Sequence, residues 1–247
     1  MIRHAPWHNR LMRRPLVISH AACGGHAPEN TLAGIHKALE LEADAIEIDV
    51  QASADGVPVL MHDLTVDRTT NGSGEVAKLS LEQLRALDAG GEPVPTLAGV
   101  LQITHGRTLL VIEIKQPAIE GLIATVAREH DSLGEVMAWS FFPQALESIR
   151  AVEPRMPGAL LLTAEALSRW PEAREHALRL GLQGVSAFHL GVHEQLTRDC
   201  QRSGLALYAW TVDRQADIAR LVELGVDGVC TNFPDRAVAL VDGEERA

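Results

Sequence analysis

The chain is poor in several features, each of which would have named a class of function. Basic residues are outnumbered, with 22 Lys and Arg against 33 Asp and Glu, a formal net charge of −11 over 247 residues. That balance argues against nucleic acid as the main partner and against a basic membrane-surface patch. A phosphorylated small molecule stays compatible with it, because a bound cation reverses the local field. Cysteine is sparse and odd in number: Cys23, Cys200 and Cys230, with no CxxC spacing. This excludes a disulfide framework and suggests a reducing compartment, so a cytoplasmic location is expected. No stretch has the apolar length needed to span a bilayer, and no stable membrane association is expected. Residues 1–14 are basic but lack the apolar core of a secretory signal, and read as an N-terminal arm whose Trp7 is free to dock on the body. No convincing GxGxxG follows the first apolar run, which disfavours an open, doubly wound nucleotide-binding sheet.

What is present is organised around Ala45-Ile-Glu-Ile-Asp-Val50. Strand side chains alternate faces, so Glu47 and Asp49 point one way and Ile46, Ile48 and Val50 the other. Two carboxylates on one face of an interior strand repel each other and resist desolvation; a hard divalent cation relieves both costs. A half-exposed strand with a solvated acidic face is the bland alternative. Asp55-Gly56 then separates this run from Val57-Pro-Val-Leu-Met-His62, a strong signal for a two-residue hairpin turn. Centring the turn on Asp55 and Gly56 sets His62 opposite Asp49 and adds an imidazole to the acidic face.

The first strand reads as Leu16–His20, and a helix follows from Asn30 or Thr31 as N-cap to about Glu42. Residues 64–95 break the alternation with a polar, turn-rich loop and a short helix near Ser80–Leu87, where Ser80 and Gln83 form a capping box. They follow His62-Asp63 directly, so they should overhang the site. Strands then begin near 108, 136, 159, 184, 205 and 228, each followed by a helical stretch. With those near 16 and 45 they make eight, the number a closed (β/α)₈ TIM barrel requires. The expected organisation is the arm, one barrel domain over 15–247, and an insertion at about 64–95.

Chemistry in such a barrel sits at the C-terminal strand ends. The polar residues there include His20, Glu47, Asp49, Glu113, Lys115 and Trp210. Glu113 and Lys115 share a strand face; a plain internal salt bridge is one reading, but a buried pair gains little net stability, which favours a functional one. Glu47, Asp49 and Glu113 suit Mg²⁺ or Ca²⁺ better than zinc, which would draw on histidine or cysteine. His20 and His62 are a candidate acid–base pair, and Lys115 a candidate phosphate clamp, a set that suits phosphoryl transfer.

Ile18-Ser-His20, Ala27-Pro-Glu-Asn-Thr31, Glu47-Ile-Asp49, Asp55-Gly-Val-Pro-Val59, His62-Asp63, Asp67-Arg-Thr-Thr-Asn-Gly-Ser-Gly74, Pro95-Thr-Leu97, Glu113-Ile-Lys115 and Trp210-Thr-Val212 occur in order and at the right spacing. Together they resemble the bacterial glycerophosphodiester phosphodiesterases over residues from about 16 to about 240. The resemblance implies a barrel that hydrolyses glycerophosphodiesters to glycerol 3-phosphate and an alcohol. It implies a divalent ion on Glu47, Asp49 and Glu113, His20 and His62 as catalytic residues, and Lys115 and Trp210 as substrate-binding residues, with Trp210 on the glycerol side. It also implies attack by the substrate's own neighbouring hydroxyl, with water then opening a cyclic phosphate. No protein nucleophile is needed, in keeping with the lack of an evident Ser or Cys elbow.

The chain departs from the pattern at His20-Ala21-Ala22, where the family usually reads His-Arg-Gly. A lost guanidinium removes on the order of 2–4 kcal/mol of transition-state stabilisation. Asp213 and Asn232 likewise stand where Asn and Asp are usual. A working enzyme is expected, as a monomer or homodimer acting on a small-molecule phosphodiester. The alternatives are a weakly active or non-catalytic phosphodiester-binding protein, because of Ala21, and a lysophospholipase D-type phosphodiesterase.

Overall fold

A computed structural model describes residues 14–242. The arm expected at 1–14, with Trp7, lies outside them except for Arg14, which bridges Asp44 and Asp242 at 2.5 Å each. The elements begin with β1 (Leu16–Ser19), α1 (Leu32–Glu40), β2 (Ala45–Ala52) and the short return strand β3 (Pro58–Leu60). Next come α2 (Leu81–Arg85), α3 (Leu97–Thr104), β4 (Leu109–Ile114), α4 (Glu120–Glu129), β5 (Val136–Ser140) and α5 (Pro143–Val152). Then follow β6 (Gly158–Leu162), α6 (Ala164–Ser168), α7 (Trp170–Arg179), β7 (Gly184–Phe188) and α8 (Glu194–Ser203). The last are β8 (Ala206–Trp210), α9 (Gln215–Leu224), β9 (Gly228–Thr231) and α10 (Pro234–Asp242).

Eight of these strands are parallel, and β1 pairs with both β2 and β9, which closes the sheet into a (β/α)₈ barrel as expected. Strand alternation builds two layers. Ile46, Ile48, Val50, Ile112 and Leu160 face outward into the helix layer, while Ile18, Ala45, Val111, Met137, Leu161 and Cys230 fill the barrel interior. Fully buried Tyr208 spans that interior because its neighbours are glycines: a Cβ at Gly184 or Gly228 would come within 3.1 or 2.9 Å of its ring. The expected insertion has a small core of its own, built on Val59, Met61, Val66, Val76, Leu84, Ala89 and Val94. The capping box is present, with Ser80 Oγ accepting from the Gln83 N–H and the Gln83 side chain returning to the Ser80 N–H.

Three local expectations are corrected. The hairpin loop has three residues rather than two. The Ser53 N–H donates to Val57 O at 3.0 Å, and only Gly56 has positive φ, at +79°. Asp55 caps locally instead, accepting from Ser53 Oγ and the Leu81 N–H. The register moves by one, pairing Val50 with Leu60 and setting Met61, not His62, against Asp49. The helical stretch at 165–180 is split into α6 and α7, because Pro171, in the first turn of α7, has no N–H with which to continue α6. Finally α3, capped by Thr96 and burying Leu97, Val100 and Leu101, was hidden by the proline- and glycine-rich stretch before it.

Candidate active site

The parallel register places Asp49 beside Glu113 on adjacent strands, and Glu47 shares their inward face two residues earlier. One oxygen from each carboxylate lies within 4.8 Å of the others. The β1–α1 turn holds two of them: the Ala21 N–H donates to Glu47 Oε2 at 2.8 Å, and Asn30 Nδ2 to Asp49 Oδ2 at 2.7 Å. Asn30 also accepts the Asp49 N–H at 3.0 Å, so it grips that residue through side chain and backbone. Among the described residues, buried Glu47 Oε1 accepts no hydrogen bond, and buried Asp49 Oδ1 has only the ion-pair contact with Lys115. Buried polar atoms rarely go without a hydrogen bond, and these two belong to residues of the cluster. Lys115 Nζ lies 2.8 Å from Glu113 Oε1 and 3.3 Å from Asp49 Oδ1, so one cation faces three carboxylates.

The electrostatics carry the same message. Burial pushes the Glu47 carboxyl far above its ordinary range, and the charges of Asp49 and Glu113 push it further. Burial, then Asp49, lifts Glu113 to about 6 despite Lys115. Burial pulls the Lys115 ammonium down, but Asp49 and Glu113 outweigh it and the net shift is upward. The cluster carries more negative charge than Lys115 balances. Hard oxygen donors, two of them unsatisfied, fit a divalent cation such as Mg²⁺ or Ca²⁺.

His62 reaches this cluster in spite of the shifted register because it lies two residues beyond the end of β3. Gln51, buried on β2, donates to Met61 O at 3.0 Å and to Asp63 O, pinning the segment that carries His62. His62 Nδ1 lies 2.7 Å from Asp63 Oδ1. Arg68 Nε donates to Asp63 at 2.6 Å, and its guanidinium continues to Glu29. Hydrogen bonds from Arg68 and His62 hold the Asp63 carboxyl well below the usual range. His20, one residue past β1, has Nδ1 2.8 Å from Asn232 Oδ1.

A cavity of about 200 Å³ gathers these groups. His20, Glu47, His62, Glu113 and Lys115 line one side; Trp139, Phe141, Leu161 and Trp210 line the other. Asp49, 1% exposed, sits behind the wall. The Trp210 indole N–H donates to Ser186 O at 2.9 Å, and Phe141 meets that ring edge-on at 5.3 Å. All seven residues expected from the sequence are therefore brought together.

The β1–α1 turn is left-handed at both departures, with φ of +47° at Ala21 and +68° at Ala22. Such values suit glycine and carry strain for alanine. His26, in the same turn, meets Asp235 at 2.7 Å. The sequence assigns no role at the site to Asn30, and none to Trp139, Phe141 or Leu161 of the aromatic wall; Asn232 it places only as a polar residue after the last strand. The sequence offers Asn30 as an N-cap, a role that Thr31 fills. Its signal was a polar residue able to adopt φ of +56° beside a buried acidic strand.

Residues 20–236 match the glycerophosphoryl diester phosphodiesterase family model. The chain belongs to that family. A glycerophosphodiester phosphodiesterase of Caldanaerobacter subterraneus subsp. tengcongensis is 36% identical over 242 residues, covering 92% of this chain and 98% of that one. One from Bacillus subtilis is 32% identical, covering 90% and 85%. Among solved structures, an Oleispira antarctica phosphodiesterase in complex with the product sn-glycerol-3-phosphate superposes with a TM-score of 0.84 at 27% identity. That match covers 93% of this family member and 97% of the other chain.

Proposed function

We propose that the chain hydrolyses glycerophosphodiesters to glycerol 3-phosphate and an alcohol. Family membership supports the reaction. The observation that carries the assignment to this cavity is the trio Glu47, Asp49 and Glu113, with two unsatisfied oxygens, beside two histidines and a lysine. Glu47, Asp49 and Glu113 would hold a Mg²⁺ or Ca²⁺ ion. When bound, that ion supplies charge neutralisation for phosphate oxygens. Lys115, anchored on Glu113, presents a further positive charge to the phosphate. One of His20 and His62 takes the proton from the substrate's neighbouring hydroxyl as it attacks phosphorus, and the other gives a proton to the departing alkoxide; the pair then exchange roles as water opens the cyclic phosphate to glycerol 3-phosphate. Trp210, braced by Ser186 and Phe141, lines the glycerol side and keeps water off that wall.

A second reading, with a lysophospholipid as substrate, is favoured by the apolar wall and by exposed Phe142 beside it in sequence. We read residues 15–247 as one domain with its insertion at 64–95, a monomer or homodimer that does not bind nucleic acid. Among the described residues no helix is long and apolar enough to cross a membrane. All three cysteines are unpaired and buried, in line with the proposed cytoplasmic location.

A product assay on glycerophosphocholine and lysophosphatidylcholine, titrated with Mg²⁺ and with Ca²⁺, tests these readings together. Ion-dependent release of glycerol 3-phosphate from the first substrate is expected. Turnover of the second alone would favour the lysophospholipase D reading. Binding without turnover would make the chain a phosphodiester-binding protein.

A further inference from the structure

Among the described residues, no carboxylate holds His20. Its Nδ1 faces the side-chain oxygen of Asn232 at 2.8 Å. An amide has a donor end and an acceptor end, so Asn232 alone would not fix which nitrogen of His20 bears the proton. Asp213 removes the ambiguity. Its Oδ2 accepts from Asn232 Nδ2 at 2.8 Å, and its Oδ1 accepts the Asn232 backbone N–H at 2.9 Å and the Thr231 hydroxyl at 3.2 Å. A carboxylate only accepts. It therefore turns the amide nitrogen of Asn232 toward itself and the amide oxygen toward His20. The Gly25 N–H donates to Asn232 O at 3.1 Å, so the residue is gripped on both sides of its backbone.

We infer that Asp213 and Asn232 are a positioning pair that fixes His20 as the Nδ1–H tautomer and leaves Nε2 free for proton transfer. The inference rests on the proposed role of His20 in hydrolysis. Neither Asn232 nor Asp213 lines the cavity, so neither is a catalytic residue. The order of the pair matters. An acid at 232 facing an acid at 213 would set two carboxylates about 2.8 Å apart in place of the present hydrogen bond. An amide at 213 could offer its own nitrogen and let Asn232 rotate, turning a donor on His20. Exchanging both residues restores one donor and one acceptor at each contact.

Gly24 gives an independent handle. A Cβ there would come within 3.0 Å of Asn232 Oδ1, and no positive φ opposes alanine at this position.

The test combines nitrogen-15 NMR of the histidine rings with kinetics on glycerophosphocholine. In the unmodified protein at about pH 8.5, above the usual imidazole range, His20 should show the Nδ1–H pattern. Asn232→Ala and Asp213→Asn should each blur or lose that pattern. Each should lower kcat by about 10–10³-fold with KM little changed. Gly24→Ala should do the same more weakly. The double exchange Asp213→Asn with Asn232→Asp should regain most of the lost kcat and the Nδ1–H signal. The nitrogen-15 pattern reads the tautomer of His20 in the folded fraction alone, so it separates positioning from stability. An Nε2–H pattern in the unmodified protein would overturn the inference, as would native kcat in Asn232→Ala. The NMR result decides it even if the protein turns over no glycerophosphodiester, an outcome that would fault the hydrolysis reading instead.

Discussion

The two walls of the cavity are built from the same barrel by different means. The wall from β1, β2, the hairpin and β4 carries His20, Glu47, His62, Glu113 and Lys115, while that from β5, β6 and β8 carries Trp139, Phe141, Leu161 and Trp210. On the first, nearly every polar atom is positioned by another: Glu47 by the Ala21 N–H, Asp49 by Asn30, and His62 by Asp63. On the second, ring packing does the positioning, with Trp210 wedged between Phe141 and Phe188 at centroid distances of 5.3 and 5.8 Å. Burying like charges is costly, and the polar wall accepts that cost where an ion can offset it. The aromatic wall has no such debt and offers only shape and water exclusion. Charge chemistry should therefore depend on the first wall and substrate fit on the second.

The largest effects should come from the polar wall. His20→Ala and His62→Ala are each expected to lower kcat by about 10²–10⁴-fold with the fold intact, read by steady-state kinetics and circular dichroism. Near-native turnover in either variant would remove that histidine from the mechanism. On the opposite wall, Trp210→Ala should raise KM by about 10-fold and leave kcat nearly unchanged, as expected for a group that binds ground and transition states alike. A loss confined to kcat would mean that the two walls are not separable in this way. Ala21→Arg should add a second cation to the polar wall and raise kcat/KM on glycerophosphocholine by about 10-fold, worth about 1.4 kcal/mol. Ala21 is 4% exposed, so a fall in rate would show that its surroundings leave no room for a guanidinium.

Protonation should move the polar wall alone. Burial holds the Glu47 and Glu113 carboxyls above the ordinary carboxylate range, Glu113 at about 6. Groups raised in this way favour the folded chain in their protonated form, so the Glu113 contribution is full below about pH 4.5 and is lost as pH rises through about 6. A cation must displace those protons. The thermal stabilisation gained on adding Ca²⁺ or Mg²⁺ should thus be large at about pH 7.5 and shrink as pH falls through about 6. Melting curves with and without ion at each pH read the difference directly, and an ion effect independent of pH would contradict the assignment of these carboxylates.

The polar wall was also the more legible in sequence. Period-two alternation around Glu47, Asp49, Glu113 and Lys115 carried enough information to place all four, because the strands are buried on both faces and their register is fixed. His62 was reached from a hairpin register that was one residue off. The Gln51 bonds, which have no sequence signature, bring it into the site. Asn232 is legible as a polar residue just after the last strand, but its contact with His20, 212 residues away, is not, and neither is that of Asn30 with Asp49, 19 residues away. The aromatic wall draws on three strands and has no local motif beyond Trp210-Thr-Val212.

The central claim is that Glu47, Asp49 and Glu113 hold a divalent ion. Titration calorimetry of Ca²⁺ and Mg²⁺ into the unmodified protein and into Glu47→Gln, Asp49→Asn and Glu113→Gln tests it most directly. One site per chain is expected in the unmodified protein, with affinity reduced by about 10-fold or more in each variant. Unchanged affinity in all three variants, or no binding to the unmodified protein, would contradict the account.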